Sequence, residues 1–205
     1  MADCGALKVR LLTVDKREGD VSDKIILDLC GGTGAWSRPY TEAGYDVRVI
    51  TLPQIDVIRL ANVIDGILVP AHGILFAPPC TVWANSGVRW WNGRTPDEIF
   101  EAARVLIAGL RIINRIQPKW WVIENPVGKM RLLLGEPKLI FDPCDYGNPY
   151  TKKTLLWGRF NPPPMRKVKP TEGSKIHKYP PSKDRQMLRS ITPSGFAQAF
   201  YEANP

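Results

Sequence analysis

The apolar positions fall into short runs separated by stretches long enough for a helix. Lys24–Cys30 (KIILDLC) is a run of the kind buried in a parallel sheet. It leads into Gly31-Gly32-Thr33-Gly34, and Trp36–Ala43 is expected as a helix ending at Gly44, a residue suited to a C-cap. Val47–Thr51 is a second, β-branched run, and Gly73–Ala77 a third, stopped by Pro78-Pro79. Pro96 opens a long helix with Asp97 and Glu98 in its first turn. Ile99, Ala103, Leu106, Leu110, Ile113 and Ile116 recur at three- and four-residue steps and mark its buried face. Pro118 ends that helix, and Trp120–Ile123 is a fourth strand closed by Glu124-Asn125-Pro126. Residues 1–24 read as a polar lead-in with a short strand at Leu7–Val14. A hairpin is expected around Asp142–Trp157, and Thr192–Ala203, opening with Pro193, as a terminal helix. Strands alternating with helices predict an α/β fold with a mostly parallel sheet and helices on both faces.

The chain has 205 residues, 44% hydrophobic and 23% charged, enough for one domain with a core that needs no covalent staple. No apolar run approaches the roughly 18–20 residues of a membrane span, and residues 1–24 lack the apolar centre of a secretory signal. Cys4, Cys30, Cys80 and Cys144 are scattered, with no CxxC pair and two histidines in all. This argues against a structural metal or a disulfide framework and for a reduced, cytoplasmic setting.

Charge changes the picture more. The formal net charge is +8, and it is unevenly spread. From Arg159 to Arg189 there are nine Lys or Arg residues against Glu172 and Asp184. Pro162-Pro163-Pro164 and Pro180-Pro181 mark Phe160 to about Lys183 as extended rather than helical. Such a segment is either a solubilising stretch or a track for a polyanion, most often nucleic acid.

Three constellations carry candidate chemistry. The glycines of Asp28-Leu29-Cys30-Gly31-Gly32-Thr33-Gly34 follow a buried strand, so a ligand can approach the backbone and the free N–H groups beyond it. Many such turns bind nothing. No Lys-Ser/Thr pair of a P-loop is present, which argues against a nucleoside triphosphatase and for another nucleotide-like cofactor. Ala77-Pro78-Pro79-Cys80 puts a thiol at the C-terminal end of a predicted parallel strand, where open α/β sheets bind ligands. A lone cysteine is more often an inert core residue. The strand end, the rigid prolines and the irregular loop that follows favour a nucleophile. Glu124, also at a strand end, reads by itself as a loop cap. Beside Cys80 it can protonate or hydrogen-bond a heterocycle under attack by the thiolate.

In this order and spacing the three motifs resemble the cytosine-C5 methyltransferases that use S-adenosylmethionine. Asp28–Gly34 looks like the family's cofactor turn, Pro79-Cys80 like its nucleophile and Glu124-Asn125 like its Glu-Asn pair. Tyr146–Thr154 (YGNPYTKKT) sits where the family carries Gly-x-Pro-Gln-x-Arg-x-Arg. The Pro-Pro-Cys motif points to carbon methylation, because amine methylases of DNA carry Asp/Asn-Pro-Pro-aromatic there. The resemblance covers Lys24 to about Gly158, with Arg189–Asn204 similar to the C-terminal segment.

The resemblance implies a Rossmann-like S-adenosylmethionine-dependent methyltransferase fold, no metal, S-adenosylhomocysteine as product and DNA as partner. It implies a cofactor site at Asp28, Leu29, Cys30, Gly31, Gly32, Thr33, Gly34, Trp36, Asp56, Val57 and Pro78. Cys80, Glu124, Asn125, Lys152 and Thr154 are the implied catalytic set. Cys80 would add to C6 of cytosine while Glu124 holds N3, so that C5 can take the methyl group. In duplex DNA the base must first be flipped out. Trp83, Ser86, Arg89 and Trp90 on the loop Thr81–Thr95, with Lys153, Arg166, Lys167 and Lys169, are the implied nucleic-acid contacts. Trp90-Trp91 reads equally well as a plug at a core edge.

The departures are specific. Thr51-Leu52-Pro53-Gln54 offers no acid for a cofactor ribose, and Asp56-Val57 stands for the family's adenine-contacting Asp-Ile. Lys152 and Thr154 replace the two arginines, Trp83 a Phe, Ala84 a Ser and Cys30 a Phe. About thirty residues fill the place of a large recognition domain, as in compact, phage-like members. The expected layout is a catalytic unit over 1–158, a basic segment over 159–189 and a C-terminal helix over 190–205 returning to the catalytic unit. A monomer is expected, with low or short sequence specificity or a helper protein that supplies it. Two alternatives stay open: a catalytically silent DNA-binding protein of this fold, and a cytosine-C5 methyltransferase acting on RNA or a free nucleotide.

Overall fold

The computed structural model describes residues 24–64, 70–85, 91–174 and 178–205. The strand expected at Leu7–Val14 lies outside them, as do Ser86, Arg89 and Trp90. Six strands form one sheet: β1 (Ile25–Leu29), β2 (Asp46–Ile50), β3 (Ala71–Phe76), β4 (Trp120–Pro126), β5 (Leu139–Phe141) and β6 (Thr154–Arg159). The spatial order is β2-β1-β3-β4-β6-β5. The first four are parallel, with Leu29 opposite Phe76 and Phe76 opposite Ile123, and β6 and β5 are antiparallel additions. The expected hairpin exists, but its first arm is Leu139–Phe141 rather than the stretch from Asp142. Pro143–Asp145 instead makes a single 3-10 turn, closed by the Asp142 and Asp145 carboxylates.

The helices are α1 (Arg38–Glu42), α2 (Val57–Val63), α3 (Pro96–Ile116), α4 (Arg131–Leu134), α5 (Arg185–Ser190) and α6 (Ser194–Ala203). Side chains alternate across the sheet, as its pleat requires. Leu27 and Leu29 of β1, Ile74 and Phe76 of β3 and Ile123 of β4 face Leu60 of α2 and Leu106 and Ile112 of α3. Ile26, Leu75, Trp120 and Val122 face the other way, onto Tyr40 of α1 and Phe196 and Phe200 of α6. Both faces are therefore covered, as the apolar runs predict. α3 is closed at its start by a capping box, in which Glu98 N donates to Thr95 Oγ1 at 3.3 Å and Thr95 N to Glu98 Oε2 at 2.9 Å. Such a cap contributes about 1 kcal/mol.

This topology positions the site. The chain leaves β1 towards β2, then crosses back over β1 to build β3 and β4. The direction of winding reverses between β1 and β3, and open α/β sheets bind ligands at the C-terminal ends of such strands. One end carries the glycine turn and the other Pro78-Pro79-Cys80. They are joined by a hydrogen bond from Ala77 N to Leu29 O at 3.0 Å.

After β6 the basic Pro-rich stretch is extended and pinned by its backbone to the loop before β6. Arg166 N donates to Asp145 O at 2.7 Å, Val168 N to Cys144 O at 2.8 Å and Glu172 N to Pro149 O at 2.8 Å. Beyond the stretch read as extended, Arg185–Ser190 forms a short helix.

Candidate active site

The turn after β1 reverses in three positive-φ residues: Cys30 (58°), Gly32 (56°) and Gly34 (69°). Gly31 between them must lack a side chain, because a Cβ there would sit 2.4 Å from the Asp28 carboxyl carbon. Asp28 is fully buried, and one of its oxygens accepts from Ser37 Oγ at 2.6 Å. The other, Oδ1, has no partner among the described residues. Burial pushes the Asp28 carboxyl up to about 6, against the opposing pull of the Ser37 hydrogen bond. The neighbouring Cys30 thiol is pushed up to about 12 by burial, then by Asp28 and Asp56. Both carboxylates therefore act on the same turn. Asp56 also caps α2, its Oδ1 accepting from Ile58 N at 2.8 Å. A buried carboxylate oxygen without a partner, beside a second acid and an exposed Gly32-Thr33, suits a ligand that carries positive charge.

Three residues expected around this cofactor turn lie elsewhere. Leu29 and Val57 are core side chains, so only their backbone can border it. Trp36 is buried on the opposite face of the sheet, 5.9 Å from Phe196 and 5.6 Å from Phe200 between ring centroids. The reason is α6, whose aromatic face needs a partner and draws the indole under it. Ser37, which no sequence motif singles out, is the residue that meets Asp28.

At the ends of β3 and β4, Asn125 is fully buried and its Nδ2 donates to Pro78 O at 3.0 Å. Two further contacts tie the loop after Cys80 to the loop after Glu124-Asn125-Pro126. Lys129 N donates to Trp83 O at 2.7 Å and Asn85 N to Val127 O at 2.8 Å. Gly128 allows this approach, since a Cβ on it would lie 1.9 Å from Trp83 O. Trp83 N and Ala84 N both donate to Cys80 O, which folds the loop into a tight turn at the cysteine.

Cys80 and Glu124 are electrostatically coupled. The Cys80 thiol is held above its ordinary range by desolvation first and the Glu124 carboxylate second, while Lys152 and then Arg189 pull it down. Glu124 is half-buried, and burial raises its carboxyl, with Lys152 opposing. The arrangement offers a sulfur nucleophile, a carboxyl group whose hold on a proton is strengthened by burial, and a flanking ammonium. Cys80 itself is solvent-exposed and a free thiol. Thr154 does not join this cluster as expected. It is buried on β6, and its hydroxyl donates to Lys152 O at 2.8 Å, bracing the backbone that carries the lysine. Two cavities of about 330 and 340 Å3 share Trp121 and Arg159 in their walls and include none of these residues.

The candidate nucleic-acid residues divide. Trp83 is 4% exposed and packs in the core with its ring 6.0 Å from Trp91. Its indole therefore lies in the core rather than on the surface. Trp91 is half-buried, with Lys129 Nζ 4.8 Å from its ring centre, in keeping with a plug at a core edge. Lys153 is exposed, 3.9 Å from Asp142. Arg166 and Lys167 are largely exposed and lean on Glu202 and Asp145 at 3.4 and 4.0 Å, and Lys169 is exposed. Among the described residues no cluster of His, Cys, Asp or Glu could hold a metal ion, and no helix is long and apolar enough to cross a membrane.

No family model and no curated protein matches this sequence. Among solved structures the chain is similar to an E. coli prophage-encoded protein provisionally assigned as a DNA modification methyltransferase, at 19% identity and a TM-score of 0.48. That match covers 78% of this chain and 49% of the other. It is also similar to a triple mutant of Spodoptera frugiperda DNMT2, at 19% identity and a TM-score of 0.46, over 66% of this chain and 50% of that one. The chain thus spans about half the length of the structures it matches.

Proposed function

We propose that this chain is a DNA cytosine-C5 methyltransferase that uses S-adenosylmethionine and a covalent Cys80 adduct. The observation that carries the reading is the meeting of Cys80 and Glu124 at neighbouring strand ends, beside the glycine turn at the topological switch point. S-adenosylmethionine fits that turn by charge. Its ammonium and sulfonium groups would answer the unpartnered Asp28 oxygen, and Asp56 and the backbone of Cys30–Gly34 would hold the remainder. When bound, it supplies an electrophilic methyl group.

The chain's own residues do the rest. Cytosine C5 is a poor nucleophile until C6 is attacked. Cys80 sulfur adds to C6, and Glu124, whose hold on a proton is strengthened by burial, places a proton at ring N3. The electron pair released into the ring makes C5 nucleophilic. Once C5 is methylated, its proton passes to solvent, the Cys80 sulfur leaves with the C6–S electron pair as the C5=C6 bond re-forms, and N3 returns its proton to Glu124, which restores the neutral aromatic ring. Asn125 holds Pro78, and so the Pro-Cys turn, against β4 throughout. Arg166, Lys167 and Lys169 on the pinned basic stretch would follow the phosphate backbone rather than read bases. That favours low or short sequence specificity, or a partner protein that supplies it.

Transfer of labelled methyl groups from S-adenosylmethionine to duplex DNA, transfer RNA and dCMP tests this. Incorporation into cytosine C5 of DNA, lost in Cys80→Ala, is expected. Transfer to RNA or dCMP alone would reassign the substrate, and a strict need for a long recognition sequence would contradict the role given to the basic stretch.

A further inference from the structure

The turn that begins at Cys80 stops abruptly, and the place where it stops is held. Cys80 O accepts from Trp83 N at 3.0 Å and from Ala84 N at 2.8 Å, the pattern of a single helical turn. A second turn would bring Asn85 N to Thr81 O, but Asn85 N donates instead to Val127 O at 2.8 Å. The Thr81 carbonyl is left like the last carbonyls of a helix, which need a donor from outside. Arg94 supplies one, its Nη2 donating to Thr81 O at 3.0 Å. The arginine side chain is only 14% exposed, so packing confines the guanidinium. A second partner fixes its direction. Arg94 Nη1 lies 3.5 Å from Glu98 Oε1, on the carboxylate whose Oε2 accepts from Thr95 N in the capping box of α3. The backbone just past Cys80 is thereby referred to the start of the longest helix in the fold.

We propose that Arg94 is a positioning residue for Cys80, the second of two anchors that set where the sulfur stands. The first is Asn125, which holds Pro78 O from β4. Pro78–Thr81 is thus pinned at its first and last carbonyls, by an amide on one side and a guanidinium on the other, with Cys80 between the pins. With one pin removed, the backbone that carries the sulfur can swing about the other. The proposal deepens the proposed function and rests on Cys80 being its nucleophile. Arg94 acts through the Thr81 backbone and is not itself a catalytic residue.

Two measurements on the full chain test this. Amide hydrogen exchange, followed residue by residue by NMR, reads the Cys80 turn with neither cofactor nor nucleic acid present. Arg94→Ala is expected to speed exchange of the Trp83 and Ala84 amides about tenfold, and Arg94→Lys, which keeps a donor for one oxygen, by less. Methyl transfer to duplex DNA reads the placement of the sulfur. Arg94→Ala should lower kcat about ten- to a hundredfold with the KM for S-adenosylmethionine unchanged, and Arg94→Lys should recover part of the loss. Thr95→Ala weakens the α3 cap but leaves the bond to Thr81, so it should lower Tm and keep the parent's kcat. Unchanged exchange in Arg94→Ala, an unchanged kcat, or an equal fall of kcat in Thr95→Ala would overturn the inference. A parent that transfers no methyl group would refute the proposed function instead, and the exchange rates would still decide whether Arg94 anchors the turn.

Discussion

Asn125 Nδ2 donates to Pro78 O across the ends of β4 and β3, and the contact is fully buried. It fixes the backbone two residues before Cys80 to the residue after Glu124. Removing the amide leaves a buried carbonyl without a donor, so Asn125→Ala should lower stability by about 1–3 kcal/mol. Because the same bond sets the sulfur relative to the carboxyl, methyl transfer should fall about ten- to a hundredfold in kcat, with little change in the cofactor's KM. Urea denaturation and steady-state kinetics check both. A stable variant with full kcat would separate Asn125 from the geometry of the site.

Asp28 makes stability depend on pH in a defined direction. Its carboxyl titrates near about 6 in the folded chain, against about 3.9 for an unfolded aspartate. Between those values the folded state binds the extra proton, so stability falls as pH rises through this window and stays lower above it. Asp28→Asn removes the slope. It is expected to raise unfolding free energy near neutral pH by about 1–3 kcal/mol, with little gain near pH ~4. The same change should weaken S-adenosylmethionine binding, measurable by calorimetry, because the oxygen offered to its positive charge is gone. Parallel pH–stability curves for the two proteins would contradict this account of Asp28.

Trp83 is a core residue, so its loss should be read in stability. Trp83→Ala should cost about 3–5 kcal/mol. Trp83→Phe should fold and bind duplex DNA with the parent's affinity. A folded Trp83→Phe that has lost DNA affinity would return the indole to the interface, against its 4% exposure.

The pinned basic stretch should act through charge alone. Replacing Lys167 and Lys169 by alanine is expected to weaken binding to all duplex sequences alike. The slope of log affinity against log salt should fall by about one for each phosphate that is no longer neutralised. Fluorescence anisotropy over a salt series measures this. Weakening confined to one DNA sequence would mean that these lysines lie beside a base-reading surface.

Much of the fold was legible because its signals are local. KIILDLC and GILFA are short apolar runs with hard stops, and the Pro96 start and Pro118 end bracket α3 without reference to anything distant. Two of those stops, Gly31–Gly34 and Pro78-Pro79, put candidate chemistry at strand ends, whereas Glu124-Asn125-Pro126, expected to close the fourth strand, continues β4 and pairs with Leu156, Leu155 and Thr154 of β6. What the sequence hid depends on contacts between remote segments. The burial of Trp83 follows from a tie to Lys129, that of Trp36 from α6, and the service of Ser37 to Asp28 from the path of one turn. α5 has six residues and no apolar period, so its charges read as part of the basic run until the structure brought it to Thr81 and Lys152.

The central claim is that Cys80 forms a bond to cytosine C6 with Glu124 beside it. DNA containing 5-fluorocytosine traps that bond, since the fluorine that replaces the C5 proton blocks release of the sulfur. The account expects a denaturation-resistant protein–DNA adduct that requires S-adenosylmethionine, is absent in Cys80→Ala and is strongly slowed in Glu124→Gln. Methylation without any trapped adduct, or an adduct that persists in Cys80→Ala, would contradict it.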